Sequence, residues 1–255
     1  MASSPPSPQR RLAAWGVHLY TALGLPLAFL CVQALVDGDA ARFFVFSALA
    51  CAVDASDGFL ARKVGVKEVL PGFSGRRLDD IVDYLHFVCL PLAALPALGL
   101  LPAELAWVVV VPLMASAYGF CQEQAKTEES FVGFPSYWNV LALYLYVLGA
   151  STQVVVGSLL VLSALVFVPI HYVYPSRTRF MQRTTVGLGL VWTAMVVALS
   201  LSPHAAWAVQ LGWVSLFYPA YYVGLSLVHH RRVHGDDADG DPPDPADPAD
   251  EPLAV

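Results

Sequence analysis

From residue 15 to residue 228 the sequence is a train of apolar runs, most of them long enough to cross the ~30 Å hydrocarbon core of a bilayer as a helix. No other feature limits the fold as tightly. With 57% hydrophobic and 13% charged residues, the chain has too little charge to cover the surface of a soluble domain of its length. The class is therefore all-α, a polytopic membrane helical bundle.

The runs fall at residues 15–36, 40–61, 79–100, 103–121, 137–150, 153–174, 184–201 and 205–228, which predicts about eight transmembrane helices, the fifth being short. Arg10 and Arg11 precede a run too long for the apolar region of a signal peptide, so they read as the basic anchor of a first span. With eight spans, both termini and the even-numbered loops share one side. That side collects thirteen of the fourteen basic residues: Arg10, Arg11, Arg62, Lys63, Lys67, Arg76, Arg77, Lys126, Arg177, Arg179, Arg183, Arg231 and Arg232. Only Arg42 falls opposite. Positive residues mark the cytoplasmic side, so both termini are expected there.

The net charge of -6 is misleading, because eight of the twenty acidic residues lie between Asp236 and Glu251. That tail is rich in Pro, Asp and Ala and has no aromatic residue, a composition that cannot offset the entropy of ordering. Residues 1–234 are thus read as one membrane domain and 235–255 as a disordered acidic tail. Cys31, Cys51, Cys89 and Cys121 sit singly in apolar surroundings and show no metal-binding or disulfide spacing.

Carboxylates at membrane depth are costly and mark functional sites. The second span ends in VDASDGFLAR, where Asp54 and Asp57, three apart, share a helical face. The third begins GRRLDDIVDY, where Asp79 and Asp83, four apart, share another. Two antiparallel helices joined by a cytoplasmic loop bring all four acids together. Such a group repels itself unless cations neutralise it, and oxygen-only ligands favour Mg²⁺, Mn²⁺ or Ca²⁺. Two metals there suit phosphoryl chemistry. Asp80, about 100° round the helix from Asp79, reads as a solvated group.

These residues spell a pattern. Asp54-x-x-Asp57-Gly58-x-x-Ala61-Arg62, followed by Gly75-x-x-x-Asp79-x-x-x-Asp83, resembles the signature of the CDP-alcohol phosphotransferase family at every fixed position. The resemblance implies two divalent cations, Mg²⁺ or Mn²⁺, with Asp54, Asp57, Asp79 and Asp83 as ligands. Asp83 would also be the catalytic base on the acceptor hydroxyl. Gly58, Ala61, Arg62 and Gly75 would contact the CDP part of a CDP-lipid. The twelve-residue spacer from Lys63 to Ser74 is longer than in most of the family. With KTEESFVGFPSYWN and VPIHYVYPSR, it resembles the bacterial branch that makes phosphatidylcholine. Ala55 departs from the Gly expected in that branch.

The implied reaction takes CDP-diacylglycerol and choline to phosphatidylcholine and CMP. The implied setting is the inner (cytoplasmic) membrane of a bacterium, with the active site on the cytoplasmic side and a homodimer common in the family. Choline carries a quaternary ammonium, which favours aromatic faces. Tyr137 and Trp138 are the expected acceptor contacts and Arg177 an acceptor or lipid contact, although aromatic residues at span ends also form interfacial belts in any membrane protein. The same signature serves enzymes using serine, inositol phosphate or glycerol phosphate. An ion or proton transporter fits less well, because no comparable charges continue through the other half of the membrane.

Overall fold

The structure, a computed structural model, describes residues 6–122, 130–173 and 181–238. Arg177 lies outside the described residues, as do Lys126, Tyr174, Arg179 and the acidic tail from residue 239 onward.

Ser7 opens the first helix. Its Oγ accepts from Arg10 N at 3.4 Å to cap α1 (Pro8–Ala22), and Pro8 occupies a first-turn position where no N–H is needed. Leu23 alone separates α1 from α2 (Gly24–Val36), and the pair forms one apolar stretch of 29 residues. Gly38, at φ +67°, turns the chain, and Asp39 caps α3 (Ala40–Val64) by accepting from Arg42 N at 2.9 Å. This is the helix that carries Asp54 and Asp57. It stops where Gly65 takes the left-handed conformation at φ +68°, which a residue without Cβ adopts at no steric cost.

A one-turn helix, α4 (Val66–Val69), and the Pro71-Gly72 pair bring the chain to Ser74, whose Oγ accepts from Arg77 N at 3.3 Å to start α5 (Gly75–Asp83). From α5 the helix continues through a π-helical stretch (Tyr84–Cys89) into α6 (Leu90–Ala97). Wide π turns concentrate at functional sites, and this one begins directly after Asp83. Its His86 Nε2 lies 2.8 Å from Gly24 O, which ties the stretch to the start of α2.

A 3₁₀ turn (Ala103–Val109) leads into α7 (Val110–Cys121). The later helices are α8 (Trp138–Val147), α9 (Thr152–Val166), α10 (Gln182–Leu201), α11 (Ala208–Ser215) and α12 (Phe217–Ala238). Two short strands, β1 (Ser130–Val132) and β2 (His171–Val173), pair antiparallel with Phe131 opposite Tyr172. The span expected over residues 153–174 therefore ends early. Pro169 cannot continue a helix, and the β-branched and aromatic residues after it suit a strand. Val173 anchors β2 to α12: its N–H donates to Ser226 Oγ at 3.1 Å and its carbonyl accepts from Tyr222 OH at 3.0 Å.

Among the described residues, five segments are long and apolar enough to cross a membrane: Pro8–Val36, Ala40–Val64, Ala103–Cys121, Gln182–Leu201 and Ala208–Arg232. Trp138–Val147 and Thr152–Val166 are shorter apolar helices, and the continuous helical stretch from Gly75 to Ala97 opens with the charged residues of GRRLDDIVD. In the five long segments only 17% to 28% of the apolar window is buried. Large side chains such as Leu12, Met114, Leu190 and Trp213 point outward, a surface that requires apolar surroundings.

Inside, Phe43, Phe44, Leu143, Tyr144 and Leu199 join α3 to α8 and α10. Val88, Leu92, Leu95, Trp138, Val155 and Leu159 join the π stretch and α6 to α8 and α9. A smaller cluster of Ala14, Val17, Val66, Val69 and Leu70 holds α1 on the end of α3 and on α4. Since α1 also packs on α5, the carboxylate-bearing ends of α3 and α5 are fixed against a common neighbour.

Candidate functional site

The i,i+3 pair on α3 and the first acid of α5 meet. Asp54, Asp57 and Asp79 each offer a carboxylate oxygen, and these atoms lie within 4.8 Å of one another. Asp57 is buried at 7% exposure, while Asp54 and Asp79 are half-buried. Asp83, at 8% exposure, lines the same cavity one helical turn further along α5. Three carboxylates so close repel one another strongly in the absence of a cation. The donor set is all oxygen, and its spread matches the reach of a hard divalent ion, so these residues fit a metal centre of the Mg²⁺ or Mn²⁺ kind.

The cavity has a volume of about 580 Å³, the size of an ordinary small-molecule site. It opens at one end of the bundle, where α3 and α9 terminate, α5 begins and α7 ends. Gly58 and Arg62 lie on its wall. A Cβ at Gly58 would stand 3.3 Å from Arg62 Nη1, so the guanidinium folds back over the bare glycine backbone. That places a positive group, suited to phosphate oxygens, on the same helix as the acids. Asp80 is also on the wall, but it forms a long, exposed ion pair with Arg76 at 4.0 Å.

Aromatic side chains contribute much of the remaining wall. Phe87 from the π stretch, Phe120 from α7, and Phe134 and Tyr137 from the strap between β1 and α8 all line it. The strap is held from behind. Ser136, with φ +55°, donates through Oγ to Ser116 Oγ at 2.9 Å, and Trp138 Nε1 donates to the same oxygen at 2.7 Å. Ser116 is fully buried, so one hydroxyl on α7 locates both ends of the Ser136-Tyr137-Trp138 turn.

The expected acceptor contacts therefore separate. Tyr137 is on the cavity wall, whereas Trp138, at 1% exposure, is a core residue turned toward Ser116, and it reaches the cavity only by backing Phe134 edge-on at 5.3 Å. The helix start explains this, since adjacent residues at the beginning of α8 point about 100° apart. Ala61 and Gly75 are not among the cavity-lining residues either. Ala61 packs into the cluster of Val17, Val66 and Leu70, and Gly75 faces α1.

Gly75 has a local reason to be glycine. A Cβ there would lie 2.8 Å from His18 Cε1, and that ring clusters with Trp15 and Phe73 at centroid distances of 5.7 and 4.4 Å. Gly75→Ala is expected to destabilise the purified protein by about 1–3 kcal/mol, the usual cost of overpacking. Adding His18→Ala should recover much of that loss. Thermal unfolding of the two single variants and the double variant checks it: additive losses would mean that the two residues do not press on each other.

Sequence reasoning missed Thr21, Ser116, Phe87, Phe120 and Phe134. Thr21, Ser116, Phe120 and Phe134 reach the site across a long stretch of chain, while Phe87 follows Asp83 by one turn inside an apolar run; none carries a motif, and Phe134 stood within the FPSYWN block but gave no separate signal.

Comparison with known proteins bears on the same residues. A profile of the CDP-alcohol phosphatidyltransferase family matches residues 17–217, which includes all four acids and the aromatic strap. A phosphatidylcholine synthase of Pseudomonas aeruginosa is 38% identical over 224 residues, covering 87% of this chain and 93% of the relative. One from Rhizobium meliloti is 36% identical over 224 residues, covering 86% and 92%. One from Legionella pneumophila is 40% identical over 181 residues, covering 68% and 69%. Because the match spans the carboxylates of α3 and α5 together with the helices that bring them into one cavity, the chain belongs to the CDP-alcohol phosphatidyltransferase family.

Proposed function

We propose that the chain is a phosphatidylcholine synthase that transfers the phosphatidyl group of CDP-diacylglycerol to choline and releases CMP. The observation that carries this reading is the composition of a shared cavity: a carboxylate cluster and Arg62 line it with Phe87, Phe120, Phe134 and Tyr137. The similarity to phosphatidylcholine synthases over most of the chain supports it.

In this reading Asp54, Asp57, Asp79 and Asp83 hold two divalent cations, Mg²⁺ or Mn²⁺, which supply charge neutralisation on the diphosphate and its leaving group. Arg62, laid over Gly58, binds diphosphate oxygens beside the acids. Asp83 accepts the proton of the choline hydroxyl, because an alcohol is a poor nucleophile at neutral pH. The choline oxygen then forms a bond to the phosphorus that carries diacylglycerol, and the bond from that phosphorus to the oxygen of CMP breaks. The aromatic walls receive the trimethylammonium group. It has no N–H to donate, so cation–π and carboxylate contacts are the recognition open to it. Tyr137 and Phe134 are the contacts assigned to it here, with Trp138 as their support.

The proposal includes eight membrane crossings with both termini and the site on the cytoplasmic side of a bacterial inner membrane, supported by the distribution of Lys and Arg. The test of the acceptor is CMP release by purified enzyme with choline, ethanolamine, serine, inositol phosphate and glycerol phosphate at equal concentration. Choline should lead. Ethanolamine should follow, because its smaller ammonium underfills the site and leaves its own donors poorly paired. The three acceptors that carry anionic groups should trail, since those groups would meet the carboxylates. Robust turnover with serine or a sugar phosphate and none with choline would remove the choline assignment while leaving the family intact.

A further inference from the structure

Thr21 stands near the end of α1, outside the signature segments of α3 and α5, and is buried at 8% exposure. Its Oγ1 donates to Asp57 Oδ2 at 2.7 Å, in a bond that is itself buried. Hydroxyls within helices commonly turn back to the carbonyl four residues earlier. Ser163, Ser200 and Thr185 do so here, to Leu159, Val196 and Met181. Thr21 reaches across to a neighbouring helix, and its acceptor is the most buried member of the carboxylate triad.

We propose that Thr21 is a positioning residue for the metal centre: it fixes the rotation of the Asp57 carboxylate so that the lone pairs left over are aimed at a divalent cation. A carboxylate offers about four lone-pair positions. A charge-assisted hydrogen bond of this length occupies one of them and resists rotation of the group. Outer partners that orient ligands in this way are worth roughly 10- to 100-fold in metal affinity. The inference rests on reading Asp54, Asp57 and Asp79 as cation ligands.

The structure supplies its own control. One residue earlier, Tyr20 OH lies 2.8 Å from Ser56 Oγ, a second tether between the same two helices that ends on a hydroxyl rather than on a site carboxylate. If Thr21 only fastened α1 to α3, loss of either bond should have the same consequence.

The experiment is a Mn²⁺ titration of the purified full-length protein without substrate, read by the electron paramagnetic resonance signal of free Mn²⁺. The variants are Thr21→Val, Thr21→Ala, Thr21→Ser and Tyr20→Phe, each checked by size-exclusion elution and thermal unfolding. Thr21→Val and Thr21→Ala should raise the Mn²⁺ concentration for half-occupancy by about tenfold or more. Thr21→Ser, which keeps the donor, should stay near wild type, and so should Tyr20→Phe. In steady-state CMP release the same shift should appear in the Mn²⁺ requirement, with the KM for CDP-diacylglycerol little changed. Wild-type Mn²⁺ affinity in whichever of the Val and Ala variants elutes as folded protein would overturn the proposal. So would a Tyr20→Phe variant that loses as much affinity, or failure of both donor-less variants to fold, since either would make Thr21 a structural tether. Absence of Mn²⁺ binding by the wild type would instead sink the underlying metal-centre reading.

Discussion

Alanine at Asp57 is expected to stop CMP release altogether within the sensitivity of the assay, and the same holds for Asp54→Ala and Asp79→Ala. The three carboxylates present oxygens within 4.8 Å of one another, so each contributes to one electrostatic site rather than to a separate one. A cation acting on a transferring phosphoryl group supplies several kcal/mol of transition-state stabilisation, and losing about 4 kcal/mol is roughly a 10³-fold fall in rate. Chelation of the wild type should produce the same silence, with recovery on adding Mg²⁺ or Mn²⁺. Stability should move the other way. Removing one of three mutually repelling acids relieves repulsion in the metal-free protein, so Asp54→Ala and Asp79→Ala should unfold no earlier than wild type when divalent ions are absent, whereas Asp57→Ala also strands the buried Thr21 hydroxyl and loses part of that gain. Asp80→Ala is the internal comparison. Its partner Arg76 is largely exposed, and a surface pair of this kind contributes about 0–1 kcal/mol, so little should change. Full turnover in the presence of EDTA would contradict the metal-centre account.

Asp83→Asn is expected to lower kcat by about 10²- to 10⁴-fold, the range a positioned general base contributes, while the KM for CDP-diacylglycerol stays close to wild type. Asparagine keeps the size of the side chain and one ligating oxygen, but it cannot take up the proton of the attacking hydroxyl. Asp83 is buried at 8% exposure on the cavity wall, a full helical turn from Asp79, which leaves it able to reach an acceptor that approaches from the aromatic side. A variant with unchanged kcat and weakened nucleotide affinity would make Asp83 a binding residue and move the proton transfer elsewhere.

The parts of this site that are local in the chain were legible from residue spacing. Asp54 with Asp57 and Asp79 with Asp83 share helical faces at three- and four-residue intervals, and α3 and α5 keep regular geometry through both pairs. The spacer between Gly65 and Ser74 has the residues that stop one helix and start another. What the sequence does not announce is which helix lies across a given face. Thr21 and Asp57 are 36 residues apart, and nothing in the apolar run around Thr21 distinguishes a hydroxyl aimed at a carboxylate from one bonded to its own helix. Tyr137 and Trp138 are equivalent as letters, but the buried Ser116 hydroxyl 22 residues before Trp138 takes the indole into the core and leaves the phenol on the cavity wall. The His171–Val173 strand was masked by the apolar run that precedes it, because a short apolar segment is compatible with either helix or strand until its partner is known.

Choline transfer is read out by supplying the purified protein, in vesicles containing CDP-diacylglycerol, with methyl-labelled choline and Mn²⁺, and following labelled lipid and free CMP together. Label should appear in phosphatidylcholine, CMP should rise in equal molar amount, and both should depend on choline and vanish in EDTA. CMP release that proceeds without choline, or the absence of labelled phosphatidylcholine from a folded, Mn²⁺-loaded protein, would contradict choline transfer.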